Sequence, residues 1–262
     1  MSGRGKQKEM GIVRPPGNPE FWAGDRVNRY DHCQSLTSEQ KEEMTRNIVR
    51  VVRYLCGIRS LSSPKVLDVG CGPGTPGTAA WQLLESIPSS QVFGVDSSTE
   101  MVDAANAALS AAYPGHFFGC VGDFNGNEFW AEGIDLTYDF IVSSVALHYL
   151  GDERRRPFFR ELYEHLASGG ALIASIAVSS AVAEVAEMAD HFATEFLHQE
   201  LERERGPQDF EEVRKRRAEQ NAKAGVNRLS PGEYIESLHA AGFEKADWVW
   251  HLWTKSIFVA LK

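Results

Sequence analysis

A glycine-rich turn around residue 70 constrains the fold of this chain more than any other feature. The segment VLDVGCGPGTPGTAAW (66–81) runs from a short apolar strand, through Gly70, Gly72 and Gly74, into residues with helical spacing. Glycine adopts backbone angles that other residues avoid, and it lets a ligand approach the main chain closely. The helix that follows offers free N–H groups at its start. This order of elements predicts an α/β domain that binds a ligand at the turn.

Short apolar strands and helices alternate along the chain after this turn. We predict strands at 66–69, 92–95, 116–121, 140–143 and 171–177, and helices at 76–86, 98–110 and 152–166. Buried strands separated by helices of this length predict a mostly parallel sheet with helices on both faces. A helical segment precedes the first strand, and the last residues predict a hairpin of two closing strands. Because side chains alternate along a strand, we expect Trp248 and Trp250 to share one face of this hairpin.

The alternation stops at residues 180–228, which carry dense charge and no strand pattern. A connection of this length without helices or strands is uncommon in a compact domain. We therefore predict an inserted helical cap at about 180–228, within one domain that spans 19–262. Residues 1–18 are rich in Gly, Pro and Lys, and they predict a flexible N-terminal arm.

Charge and composition argue against several classes of function. The formal net charge of −9 disfavours direct binding of nucleic acid or of an anionic membrane surface. No apolar run is long enough to span a bilayer, and the first residues contain no hydrophobic signal core. The four cysteines are scattered, which is typical of reduced thiols. We therefore expect a cytoplasmic protein without a structural metal.

Two kinds of ligand fit the glycine turn. Gly72–Gly77 matches the G-x-G-x-x-G pattern of dinucleotide-binding folds, which holds a pyrophosphate. The turn also follows Asp68, whose carboxylate lies inside the strand, where it could meet an amino group. A pyrophosphate gains nothing from a buried negative charge at that position. Asp68 therefore favours a sulfonium amino acid over a dinucleotide.

Acidic residues also follow the next two strands. Asp96 ends the second strand, where an acid holds ribose hydroxyls, and Met101 shortly after it could lie against an adenine face. Asp123 and Phe124 end the third strand and suit the amino group and ring of an adenine. Each acid alone could instead cap a helix or face solvent. Three acids at consecutive strand ends favour a ligand, because open α/β sheets bind ligands at this edge.

These residues resemble the class I S-adenosylmethionine-dependent methyltransferases, and the resemblance runs from Tyr30 to Lys262. It implies a Rossmann-like sheet of seven strands with the last strand antiparallel. It also implies S-adenosyl-L-methionine as the cofactor and S-adenosyl-L-homocysteine as the product. The segment 25–31 resembles one that closes over the cofactor in many small-molecule members. The cofactor-binding residues that the resemblance implies are Tyr30, Asp68, Gly70, Cys71, Gly72, Gly74, Asp96, Ser97, Met101, Asp123, Phe124, Ser143 and Ser144.

A narrower resemblance concerns the second half of the chain. The segments EEVRKRRAEQN and SPGEYIESLHAAGF are similar to the carboxy-S-adenosylmethionine synthases of tRNA wobble-uridine modification, in which an arginine at the position of Arg216 recognises a carboxylated sulfonium. The competing interpretation of Arg216 is a solvated or dimer-facing helix. The chain departs from that family in its Gly-Cys-Gly-Pro-Gly turn and in Ser143-Ser144, which replace an expected asparagine. We therefore predict ordinary methyl transfer to a small-molecule acceptor, with the synthase reaction and a non-catalytic cofactor-binding protein as alternatives.

Methyl transfer from a sulfonium requires alignment more than acid–base chemistry, because the methyl group is already activated. A general base is needed only when the acceptor starts protonated. We expect His148 and Tyr149, just past the fourth strand, to face the acceptor, with His148 as the catalytic base; a buried packing histidine is the competing interpretation. The cap carries His191, Glu195 and His198 on one helical face, which we expect to be a solvated or homodimer face rather than a metal site; a polar pocket wall is the alternative.

Overall fold

The structure of the protein is a computed structural model that describes residues 16–17, 38–126, 129–130 and 133–262. Within these residues, the strands are β1 (Lys65–Val69), β2 (Gln91–Asp96), β3 (Phe117–Val121), β4 (Tyr138–Ser144), β5 (Leu166–Ala177), β6 (Lys245–Leu252) and β7 (Lys255–Leu261). The α-helices of the same residues are α1 (Ser38–Arg59), α2 (Ala79–Ser86), α3 (Thr99–Ala112), α4 (Asp152–His165), α5 (Ala183–Arg205), α6 (Phe210–Ala224) and α7 (Pro231–Ala241).

The strands form one seven-stranded sheet in the order β3-β2-β1-β4-β5-β7-β6. Strands β1 to β5 pair in parallel, whereas β7 is antiparallel to β5 and β6 is antiparallel to β7. The predicted fold, a mostly parallel sheet with helices and a closing hairpin, is confirmed. The strand order reverses between β1 and β4. Open sheets of this kind bind ligands at the carboxyl ends of the strands beside such a point.

Successive residues of each central strand enter two different cores. On one face, Val66 packs in a cluster with Ile48 of α1 and Leu83 of α2. On the other face, Leu67 packs in a cluster with Phe158 of α4. All five side chains are fully buried, and burial of one such side chain contributes about 1.5–3 kcal/mol. The two cores cover both faces of the sheet, so a ligand can reach its strands only at the edges.

Two charged helices, α5 and α6, occupy the segment between β5 and α7. Within 183–224 the structure contains helix and turn but no strand, and an isolated bridge between Val178 and Leu229 joins the two ends of the segment. None of the described helices is long and apolar enough to cross a membrane.

The closing hairpin departs from the expected alternation. Trp248 packs against the core that contains Phe258, whereas Trp250 packs against the core that contains Ile257. The reason is a shift in the pairing of β6 with β7 between these two tryptophans. An extra residue in one strand reverses the faces of the residues that follow. The prediction that Trp248 and Trp250 share a face is therefore wrong.

Candidate functional site

The turn between β1 and α2 has a backbone that suits glycine. Gly70, Gly72 and Gly74 have φ angles of +76°, +63° and +67°. A Cβ atom on Gly70 would lie 2.3 Å from the Cβ of Ala146, and one on Gly74 would lie 2.8 Å from the Cα of Ala105. Side chains at these positions would push the turn away from Ala146, just after β4, and from α3. The glycines thus let the turn lie close against both elements.

Hydrogen bonds hold this turn against the end of β2. The Gly70 N–H donates to the Val95 carbonyl across 2.7 Å. The Asp96 carboxylate accepts from the Gly72 N–H through Oδ2 and from the Ser98 N–H through Oδ1, each at 3.0 Å. Burial raises the pKa of the Asp96 carboxyl, and the backbone hydrogen bonds oppose that rise. Asp96 is therefore oriented at the edge of the sheet, beside the turn.

Asp68 lies under the turn with one oxygen unpaired. Its side chain is buried, and Oδ2 accepts a hydrogen bond of 3.0 Å from the Ala80 N–H of α2. Its Oδ1 is also buried but has no hydrogen-bond partner among the residues that the structure describes. Burial raises the pKa of Asp68 to about 7, while the nearby Lys41 acts in the opposite direction. A buried carboxyl oxygen without a partner is costly, and a ligand cation would remove that cost.

Three further predicted cofactor residues surround the turn. Cys71 is buried, and its burial raises the pKa of the thiol well above its ordinary value, so the thiol stays protonated. Ser97 is half-buried at the edge. Met101 is almost fully buried at the start of α3, where its N–H donates to Ser98 Oγ at 3.3 Å. Cys71 lies in the turn, Ser97 follows Asp96, and Met101 lies in the first turn of α3; their contact with a cofactor stays a prediction.

The loop after β3 is tied to the segment that follows β4. Asp123 accepts a hydrogen bond of 2.9 Å from the Asn125 N–H. The Asn125 side chain donates to the Tyr149 carbonyl at 3.1 Å and accepts from the Gly151 N–H at 2.9 Å. Phe124, which lies between Asp123 and Asn125 in the sequence, is half-buried. Asn125 was not predicted, because its partners lie far along the chain and only the tertiary structure brings them near.

The two serines at the end of β4 point in different directions. Ser143 is fully buried, and its hydroxyl donates to the Val69 carbonyl of β1 at 2.8 Å. Ser144 lies 3.2 Å from the Thr45 hydroxyl of α1 and 3.4 Å from the Ser175 hydroxyl of β5. Ser143 therefore joins two strands, and Ser144 joins the sheet to the N-terminal helix. Their predicted role at the cofactor stays a prediction.

The chain is strained directly after β4. Val145 has a φ of +59°, which is rare for a β-branched residue and costs on the order of 1–3 kcal/mol. Its N–H donates to the Ser175 carbonyl at 2.9 Å and to Ser175 Oγ at 3.1 Å, which holds it in this conformation. The strained residue turns the chain so that Ala146 lies against Gly70 and a short 3-10 helix, Leu147–Tyr149, follows.

His148, on this short helix, is buried and neutral. Its Nδ1 lies 3.4 Å from the Ala177 N–H, so Nδ1 accepts and the ring proton is assigned to Nε2. Burial lowers its pKa well below the ordinary value, and the charges of Lys255 and Arg228 act in the same direction. The basic nitrogen, Nδ1, faces the backbone of β5. This arrangement favours a positioning role, and the role of His148 as a general base stays a prediction.

Arg216, predicted to contact the substrate, is exposed on α6. Its neighbour Arg217 faces inward instead and donates from Nη1 to Asp190 of α5 at 2.6 Å. Arg228 donates from Nη1 to the same carboxylate oxygen at 2.9 Å. One sequence signal separates the two arginines, because Val213, four residues before Arg217 and thus on the same helical face, is buried.

Some predictions fall on residues that the structure does not describe. Tyr30, the segment 25–31 and all of the N-terminal arm except residues 16–17 lie outside the described residues. Within the described part of the chain, no group of three or more His, Cys, Asp or Glu side chains is arranged to hold a metal ion.

Comparisons with known proteins agree with this geometry. Residues 66–170 match the family model described as a methyltransferase domain. A candidate O-methyltransferase from Nostoc punctiforme PCC 73102 has a similar structure, with a TM-score of 0.60, 15% identity, and an alignment that covers 96% of this chain and 63% of that one. A structure of PigF with SAH gives a TM-score of 0.51 at 17% identity and covers 76% of this chain and 50% of that one.

The YcgJ protein from Bacillus subtilis has nearly the length of the region it matches. It gives a TM-score of 0.51 at 14% identity, and the alignment covers 80% of this chain and 98% of YcgJ. This chain spans only about 63% of the length of the Nostoc protein. No curated protein matches the chain by sequence. Residues 66–170 therefore match a methyltransferase domain, and the chain shares the fold of these solved structures; the comparisons add no support for the narrower resemblance to carboxy-S-adenosylmethionine synthases.

Proposed function

We propose that this chain binds S-adenosylmethionine at the carboxyl edge of its sheet and transfers the methyl group to a small-molecule acceptor. The observation that carries the proposal is the unpaired, buried Oδ1 of Asp68 beneath the glycine turn. The cofactor carries a cationic amino group, and a buried carboxylate oxygen without a partner suits such a group. The matching methyltransferase domain covers the same turn and the strands beside it.

Each acid at the edge has a role in this proposal. Asp68 would hold the amino group, Asp96 the ribose hydroxyls, and Asp123 the adenine amino group. The glycine turn would lie along the amino-acid part of the cofactor. The structure of PigF with SAH has a similar fold, and SAH carries the amino group, ribose and adenine that these three acids would bind.

When bound, the sulfonium supplies a methyl carbon that an acceptor atom attacks in line with the departing sulfur. The residues of this chain bind and orient the two partners and exclude water, which is the main requirement for such a step. His148 would then donate its Nε2 proton in a hydrogen bond that positions the acceptor, since its Nδ1 faces the Ala177 N–H. A proton released by the acceptor would pass to His148 only after that contact breaks.

The test begins with the cofactor. Calorimetry of the full chain with S-adenosylhomocysteine is expected to give binding, and mass spectrometry of the purified protein would identify any cofactor that co-purifies. Incubation with trideuteromethyl-labelled S-adenosylmethionine and small-molecule extracts should then give products that carry the label. The proposal would be refuted if the chain bound neither S-adenosylhomocysteine nor S-adenosylmethionine. A co-purified carboxylated cofactor would favour the synthase reaction instead.

A further inference from the structure

Three cationic side chains meet beside the short helix that follows β4. Arg217 comes from α6, Arg228 from the segment before α7, and Lys255 from the first residue of β7. Asp190 of α5 pairs with both arginines through a single oxygen, Oδ1. We refer to Arg217, Arg228 and Lys255 as the cation cluster.

The cation cluster has more positive than negative charge. Lys255 makes no ion pair within the described ranges, and the charges that act on it most are those of Arg228 and Arg217. Among the residues that the structure describes, Asp190 is the only acid that forms an ion pair with the two arginines. Like charges grouped with limited access to water repel each other. Burial, reinforced by these two arginines, lowers the pKa of Lys255 to about 7, as expected for an amine short of counter-charge.

The arginines also retain unused hydrogen-bond donors. Both reach Asp190 through Nη1, and Arg217 Nη1 lies 3.4 Å from the Thr194 hydroxyl as well. Within the described residues, these are the side-chain hydrogen bonds of the two guanidinium groups. A guanidinium group carries five N–H donors in a planar fork that matches a carboxylate. Donors therefore remain for a second anion beside Asp190.

A series of contacts through β5 and the short 3-10 helix connects the cation cluster to the glycine turn. Lys255 pairs with Ala177 across β5 and β7, and the Ala177 N–H donates to His148 Nδ1. His148 follows Ala146 by two residues, and Ala146 lies directly against Gly70. The cluster therefore lies near the carboxyl end of β5, at the edge of the sheet that also carries the glycine turn.

We propose that the cation cluster binds a carboxylate of the methyl acceptor, so that the substrate is a small organic acid. The identification of the bound acid as the methyl acceptor rests on the proposed methyltransferase function. The anion site itself does not require that function. A carboxylate is favoured because Asp190 already shows how two of the three cations share one carboxylate. The incoming group would pair with Lys255 and the remaining N–H donors of the arginines.

The test uses acids and their neutral amides as probes. Benzoate, phenylacetate and indole-3-acetate are titrated into the full chain by calorimetry, each against its amide, with and without S-adenosylhomocysteine. At least one acid is expected to bind about tenfold or more tightly than its amide, as a charge-assisted pair implies. Lys255→Met is expected to remove that preference. Lys245→Met, at an exposed lysine on the same hairpin, should leave it unchanged.

A second variant guards against a folding defect. Arg217→Lys keeps the charge and loses the planar fork, and it is expected to weaken acid binding severalfold, whereas Arg214→Lys on the exposed face of the same helix should have no effect. Equal binding of acids and amides, or acid binding that survives both Lys255→Met and Arg217→Lys, would overturn the proposal. Tighter binding of phenyl phosphate than of every acid would overturn the carboxylate assignment.

The two proposals fail in different ways. If S-adenosylhomocysteine binds and no acid is preferred, the anion site is refuted and the methyltransferase function stands. If an acid is preferred but S-adenosylhomocysteine and S-adenosylmethionine do not bind, the anion site stands and the methyltransferase function is refuted.

Discussion

The Gly72 N–H donates a hydrogen bond to the Asp96 carboxylate across 3.0 Å, which joins the turn after β1 to the end of β2. The Ser98 N–H donates to the other oxygen of the same carboxylate. The acid that would bind a ribose is therefore oriented before any ligand arrives. Each carboxylate oxygen has a second lone pair, so acceptor capacity remains for a ribose hydroxyl group.

We expect Asp96→Asn to weaken the binding of S-adenosylhomocysteine by about ten- to a hundredfold, since it removes charge-assisted hydrogen bonds worth about 1.5–3 kcal/mol. Calorimetry measures the affinity, and circular dichroism checks the fold. Asp103→Asn on the exposed face of α3 is the matched control and should bind normally. Unchanged affinity of the Asp96 variant would exclude its contact with the cofactor.

Gly70→Ala should lower the free energy of unfolding by more than Gly115→Ala. Both glycines have a similar φ, +76° and +79°, so both variants suffer the same backbone strain of about 1–2 kcal/mol. Only at Gly70 would the new Cβ meet another atom, the Cβ of Ala146 at 2.3 Å; nothing lies within 4 Å at Gly115. Overpacking adds about 1–3 kcal/mol. Urea denaturation measures the difference, and equal losses would show that the turn can relax.

The residues whose place in the fold the sequence predicted correctly lie close together along the chain. Asp68 and the glycines occupy one strand–turn–helix unit, and Asp96 directly ends a strand, so a local pattern is enough to place them. The alternation of buried strands and helices likewise determined the sheet, because each strand and its crossover helix form a local unit. No sequence pattern indicated the bulge between Trp248 and Trp250, and this bulge places Trp250 on the face opposite to the predicted one.

The cation cluster could not be predicted in the same way. Asp190, Arg217, Arg228 and Lys255 belong to four different segments, and only the packing of the cap on the sheet brings them together. The sequence predicted a basic helix with Arg216 as the arginine at the substrate, and the structure places Arg216 at the surface and Arg217 in the cluster. Successive residues of a helix differ by about 100° in direction, so neighbouring side chains can face the interior and the solvent.

The cap should become more protected when ligands bind. Hydrogen exchange is expected to slow in α5 and α6 when S-adenosylhomocysteine and a bound carboxylate probe are both present, because Asp190 and Arg217 join these helices at the cation cluster. Light scattering over a range of concentrations tests the predicted homodimer through the cap at the same time. Exchange rates in α5 and α6 that no ligand changes would show that the cap does not respond to the site.

Asp68 should make stability depend on pH in an unusual direction. Its pKa is about 7 in the folded protein and 3.8 for the ordinary side chain, so the folded state holds the proton more tightly. The stabilisation is complete below the ordinary pKa and is lost as the pH rises through the folded one. Between about pH 4 and pH 7 the wild type should lose on the order of 3 kcal/mol relative to Asp68→Asn. Denaturation at several pH values measures the loss; parallel curves for the two proteins would contradict it.

Lys255 should make the binding of an organic acid weaker as the pH rises. Burial and the charges of Arg228 and Arg217 lower its pKa to about 7 from an ordinary value of 10.5. Burial holds His148 neutral, so Lys255 is the group of the cation cluster that is expected to lose its proton near neutrality. Below the folded pKa of Lys255 the ammonium is present and pairs with a carboxylate. Above this pKa the attraction is lost unless binding restores the proton.

The affinity of the best acid probe should therefore fall severalfold between about pH 6 and pH 8, with proton uptake seen by calorimetry in buffers of different ionisation enthalpy. Lys255→Met should bind the acid weakly at both pH values and take up no proton, and a wild-type affinity that does not change with pH would remove Lys255 from the anion site.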